Sequence, residues 1–121
     1  MNKILLAECD AFLIGVYASQ FRKQGYSTSI APDGEIAINR LKSINPDLLI
    51  IDASLPKIDG FGVLKFLRGE ESLKDLKVVM LSNFGQEEEV KKSLAFGVIK
   101  YFIKAEHTAE EIVDEIKTIL S

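Results

Sequence analysis

The sequence carries one cysteine, one histidine, three prolines and no tryptophan in 121 residues. A single thiol closes no internal disulfide, and one imidazole builds no histidine-rich metal site. An excess of positive charge is missing as well: 15 Lys and Arg stand against 18 Asp and Glu, a net charge of −3. A mildly acidic domain has no broad attraction for phosphate backbones, so nucleic acid is not an expected partner. Long apolar runs are absent too. Ile4 to Ala7 ends at Glu8, far short of the roughly 7–15 residues of a secretory h-region or the roughly 18 of a membrane span. That also sets aside the faint lipoprotein box Leu6-Ala7-Glu8-Cys9. The expectation is one domain over residues 1–121, cytoplasmic, without a membrane partner, and large enough for a single core.

What is present is one unit repeated along the chain. Ile4 to Ala7 reads as a strand, followed by Phe12, Leu13, Val16, Tyr17 and Phe21 at helical spacing up to Gly25. Tyr26 to Ile30 alternates with small polar residues and fits an edge strand. Pro32-Asp33-Gly34 is a turn, and Ile36, Ala37, Arg40, Leu41 and Ile44 sketch a helix that Asn45-Pro46 breaks. Leu48 to Ile51 is the most apolar run, as expected of a parallel strand buried on both faces, and Asp52 ends it. A helix with Phe61, Leu64 and Leu67 inward runs to Gly69, and Val78 to Leu81 is a further buried strand ended by Ser82-Asn83. Glu87, Glu88 and Glu89 open a fourth helix in the order the helix dipole favours, with Glu87–Lys91 and Glu88–Lys92 pairs expected. Tyr101 to Ile103 is the fifth strand, and Thr108 with Glu111 forms a capping box before Ile112, Ile116, Ile119 and Leu120. Strands alternating with helices imply an α/β fold with a parallel sheet covered on both faces.

In a parallel sheet the C-terminal strand ends share one edge, where ligands bind. That edge collects Glu8, Cys9 and Asp10, then Asp52, Ser82 and Lys104. Crowded carboxylates repel, so such a rim calls for a divalent metal, the lysine, or both. Plainer roles compete. Asp10 suits a helix N-cap, Ser82 and Asn83 suit a loop, Lys104 a solvated strand end, and His107 an exposed loop. Cys9 reads as a small buried filler. Asp52 is harder to dismiss, since an acid ending the most buried strand has little reason to be there without a task. No G-x-x-x-x-G-K-[ST] phosphate loop, third glycine after Gly60-Phe61-Gly62, or G-x-S-x-G elbow exists. A flavodoxin-like enzyme or nucleotide binder is disfavoured accordingly.

The stretches Lys3–Asp10, Pro46–Asp52, Leu55-Pro56-x-x-Asp59-Gly60, Val78–Ser82 and Gly97-x-x-x-Tyr101-x-x-Lys104 together resemble the receiver domain of two-component response regulators, over essentially the whole chain. The resemblance implies a doubly wound, flavodoxin-like five-stranded sheet in the order 2-1-3-4-5. It implies that Asp52 accepts a phosphoryl group from a histidine kinase or phosphotransfer protein, with Mg²⁺ neutralising the phosphoryl oxygens. Lys104 and Ser82 would each contact a phosphoryl oxygen. Tyr101 would rotate inward behind Ser82, changing the face of the fourth helix, fifth strand and last helix. The implied metal set is Glu8, Asp52 and Ser54, with Asp10 nearby. Three departures stand out: Cys9 replaces a second acid, Ala105 replaces a proline after the lysine, and Asn83 replaces a small residue. The expected role is a stand-alone receiver signalling by contact with a downstream protein, with no enzymatic activity beyond self-catalysed transfer onto Asp52. The alternative is a degenerate receiver that acts as an interaction module without phosphorylation.

Overall fold

The computed structural model describes residues 2–121. Strands and helices alternate along the chain: β1 (Lys3–Ala7), α1 (Ala11–Lys23), β2 (Ser27–Ala31), α2 (Gly34–Ile44), β3 (Leu48–Asp52), α3 (Gly60–Gly69), β4 (Lys77–Ser82), α4 (Glu87–Ala95), β5 (Lys100–Ile103) and α5 (Ala109–Leu120). All strands are parallel, in the order β2-β1-β3-β4-β5. β2 is thus an edge, as its half-polar alternation implied.

The period of two along each strand divides the core. Leu5, Leu49, Val78 and Met80 face α2 and α3, where Ala37, Leu41, Val63, Leu64 and Leu67 cover them. Ile4, Leu6, Leu48, Ile50, Val79 and Leu81 face α1 and α5, against Tyr17, Phe21, Ile112, Val113 and Ile116. Helix ends follow their caps. Asp10, Asp33 and Asp59 accept the backbone N–H groups of Leu13, Ile36 and Gly62, and Thr108 with Glu111 closes a capping box. Asn45, in the left-handed region at φ 55°, ends α2 before Pro46.

One expectation is extended and another corrected. Phe61, Leu64 and Leu67 of α3 pack inward as expected, Phe61 only half-buried, and Val63 joins them fully buried. Glu87–Lys91 pairs at 3.0 Å, but Lys92 stands over the Phe61 ring at 4.4 Å rather than on Glu88. An aromatic face on the neighbouring helix α3 thus outcompetes the solvated carboxylate on Lys92's own helix. α4 is the least embedded helix: Ser93 is its one buried residue.

Candidate functional site

The register of the sheet brings four strand ends together. Asp52 lies opposite Leu81, and Ser82 opposite Ile103, so Lys104 follows one residue beyond the β4–β5 pairing. Gly60 lets α3 start close beneath this edge. A Cβ there would come within 2.6 Å of the Asp52 carbonyl oxygen, so any side chain would push the helix away from the acid's own backbone.

Asp52 is 3% exposed and Glu8 is fully buried. Between them sits Lys104, whose Nζ lies 2.6 Å from Glu8 Oε1 and 2.7 Å from Asp52 Oδ2. The first contact is ionic and off the hydrogen-bonding direction, whereas Asp52 Oδ2 accepts an aligned hydrogen bond from Lys104. The outer oxygens are held by backbone. Glu8 Oε2 accepts the N–H groups of Cys9 at 2.9 Å and Asp10 at 3.1 Å, and Asp52 Oδ1 accepts that of Ser54 at 2.9 Å.

The protonation equilibria follow from this packing. Burial raises the Glu8 carboxyl above its usual range, and Asp52 adds to the effect. Lys104 and the Asp10 N–H oppose it without cancelling it. For Lys104, burial pulls the ammonium down, but Asp52 and Glu8 together outweigh burial and hold it above its ordinary value. Burial, then Glu8 and Asp52, push the Cys9 thiol up, so it is a neutral group among acids.

Two sequence-based assignments change on this frame, those of Cys9 and Lys104, while Asp10 and His107 fall where the sequence placed them. Cys9 is exposed rather than a buried filler. It comes after the last buried residue of β1, where the chain leaves the sheet, and its sulfur points to the rim: donor atoms of Glu8, Cys9 and Asp52 all lie within 4.8 Å of one another. Lys104 is not a solvated strand end, because its side chain is 11% exposed. Asp10 is an N-cap, its Oδ1 accepting Leu13 N–H at 3.1 Å, and it stays outside the cluster. Ser54 is exposed and offers its backbone N–H. His107 is exposed and stands edge-on to Phe102 at 5.2 Å. Ala105 belongs to a short 3-10 turn over Lys104–Glu106, and every peptide bond among the described residues is trans. Asn83 is exposed and Phe84 is 65% exposed.

Ser82 lies on the rim, but its hydroxyl is engaged locally. Oγ donates to the Phe84 carbonyl at 2.9 Å and accepts the Phe84 N–H at 3.1 Å. Tyr101, half-buried, also donates to the Phe84 carbonyl, at 2.9 Å, with Glu89 Oε2 at 3.3 Å as a second acceptor. Phe84 is therefore a hub that sequence reasoning missed, because it acts through main-chain atoms.

Comparison with known proteins decides the family. The model for the response regulator receiver domain matches residues 4–117. The chain belongs to that family. This receiver is 30% identical to the phosphate regulon transcriptional regulatory protein PhoB of Escherichia coli over 98% of its own length, and 29% identical to a probable transcriptional regulator ycf27 of Galdieria sulphuraria. It spans about half the length of these curated relatives, 52% and 45%. The receiver domain of the Francisella response regulator 1452 superposes with a TM-score of 0.87 at 26% identity, covering 98% of this chain and 95% of that one. The chemotaxis response regulator CheY4 of Vibrio cholerae, at 21% identity and a TM-score of 0.90 over 98% of both chains, shows the shared fold. Receiver domains are signalling modules that are phosphorylated on an aspartate and bind Mg²⁺ through acidic residues, and here Glu8 and Asp52 form such an acidic cluster. They interact with histidine kinases or phosphotransfer proteins and with downstream targets. Among the described residues no helix is long and apolar enough to cross a membrane.

Proposed function

We propose that this receiver takes a phosphoryl group on Asp52 in a two-component phosphorelay and passes the signal on by protein–protein contact, residues 1–121 acting as one unit. The observation that carries the reading is Lys104, whose ammonium lies 2.7 Å from Asp52 Oδ2 at the strand edge where ligands bind. An Asp52 oxygen attacks phosphorus as the P–N bond to a donor histidine breaks. The new P–O bond forms on Asp52, and the imidazole leaves with a proton from solvent. Lys104 follows the negative charge onto a phosphoryl oxygen. Ser82 exchanges its Phe84 contacts for another phosphoryl oxygen, which frees Tyr101 and the β4–α4 loop to rearrange.

The donor set does not fit the Mg²⁺ of the family. Mg²⁺ is a hard ion that takes oxygen, and the third corner beside Glu8 and Asp52 is the neutral thiol of Cys9. Weak Mg²⁺ binding and slow phosphorylation follow. Incubation with acetyl phosphate, read by intact mass, should add one phosphoryl group to the wild type and none to Asp52→Asn. A wild type that takes none would replace this reading with the degenerate receiver, an interaction module that works without phosphorylation.

A further inference from the structure

We infer that Lys104 is the resident counter-charge of the Glu8–Asp52 pair, and that Lys104 and a divalent cation compete for these two carboxylates instead of sharing them. The geometry is that of a filled site. One ammonium touches both acids, at 2.6 and 2.7 Å, with side-chain exposures of 11% for the lysine, 0% for Glu8 and 4% for Asp52. All four carboxylate oxygens already have a contact, two with the ammonium and two with backbone N–H groups of Cys9, Asp10 and Ser54.

Charge decides the rest. A buried cluster is tolerated when its charges compensate. With an acid at position 9, three carboxylates would balance one lysine and one divalent ion together. Cys9 puts a thiol where an acid would add a third carboxylate, so two carboxylates meet three positive charges once the ion enters, and the cluster is left with net positive charge. Either cation alone is accommodated; the pair is not. Lys104 has the advantage of being covalently placed, at the end of β5 and on the first residue of the 3-10 turn that carries it to the acids.

The competition is reciprocal: whatever the ion costs Lys104, Lys104 costs the ion. Removing the lysine charge should therefore create the site that the wild type lacks. The test is titration of Mg²⁺ alone, with no phosphoryl donor, at constant ionic strength into the wild type and Lys104→Gln, read by thermal melting and by amide resonances. Lys104→Gln should bind Mg²⁺ at least tenfold more tightly than the wild type and gain melting temperature with it. In the wild type the amides of Cys9, Asp10 and Ser54, which report on the two carboxylates, should not move. A variant that folds only when Mg²⁺ is added supports the same conclusion. Saturable Mg²⁺ shifts of those three amides in the wild type, at an affinity equal to that of the variant, would overturn it whether or not the variant folds. So would a thiolate-to-metal absorption band on adding Co²⁺ to the wild type that disappears in Cys9→Ser, because a thiophilic ion would then be the resident cation. Neither readout depends on Asp52 accepting a phosphoryl group.

Discussion

Replacing Cys9 by Asp should turn this receiver into one that responds to Mg²⁺, and two opposing effects can be sized from the site. The three donor atoms at positions 8, 9 and 52 lie within 4.8 Å of one another, so a new carboxylate stands next to both existing acids. Without metal it adds repulsion that at an effective dielectric of ~20 is a few kcal/mol gross, cut to on the order of 1 kcal/mol by Lys104 and by the solvent around this exposed position. With metal, the added charge attracts a directly bound divalent ion about 2 Å away by roughly 16 kcal/mol gross at the same dielectric, most of it lost to dehydrating the ion and the new ligand. Loss of a group that merely orients a ligand already costs metals about 10–100-fold, so gain of a direct oxygen ligand should improve affinity by about tenfold or more, near 1.4 kcal/mol. The variant should therefore melt below the wild type in chelator and recover on Mg²⁺, by roughly 4–8 °C per kcal/mol at the lower end of domain sizes and less for larger ones. Thermal melts of both proteins across a Mg²⁺ series at equal ionic strength measure both effects. Equal Mg²⁺ affinities, or an unchanged melting point in chelator, would refute the assignment of Cys9 as the missing metal ligand.

Other perturbations address separate parts of the molecule. Arg68→Ala should cost about 2–4 kcal/mol in urea unfolding, because its guanidinium donates to the carbonyls of Phe96 at 2.7 Å, Lys74 at 2.9 Å and Leu76 at 2.8 Å, all away from Asp52. A loss below about 1 kcal/mol would show that water replaces it at those carbonyls. Beryllofluoride with Mg²⁺ should shift the amides of Ser82, Asn83 and the residues around Tyr101 together, whereas shifts confined to the Asp52 loop would break the coupling through Phe84. Lys104 also fixes a pH dependence. Its folded pKa is raised from the ordinary 10.5, so its contribution to stability is complete below that pH and is lost as pH rises through the folded value. Urea midpoints of the wild type should fall faster above pH 10.5 than those of Lys104→Gln, and parallel declines would deny Lys104 that role.

The fold was legible because local and global signals agree. Continuous apolar runs marked β3 and β4 as buried on both faces, Asn45-Pro46 stopped α2, and the capping box at Thr108 opened α5. The acidic rim was legible for a related reason: Asp52 is polar where the strand's burial demands apolar, and that conflict marks a site. What escaped depends on solvent exposure and on main-chain atoms. Composition makes a lone cysteine a buried filler, yet Cys9 falls two residues past the end of β1, where the backbone turns out of the core. A lone lysine after a strand is solvated by default, yet two buried acids draw Lys104 inward. The Phe84 carbonyl that holds both Ser82 and Tyr101, and the carbonyls gathered by Arg68, carry no side-chain signature at all.

Everything proposed for this receiver turns on Asp52, facing Lys104, as the phosphoryl acceptor. Intact mass spectrometry of the wild type and Asp52→Asn after incubation with acetyl phosphate, followed by peptide mapping, tests it most directly. The wild type should carry a single phosphoryl group, mapped to the peptide containing Asp52, and the variant, whose near-identical shape preserves the fold, should carry none. Phosphoryl incorporation that persists in Asp52→Asn, or a wild type that gains none, would contradict it.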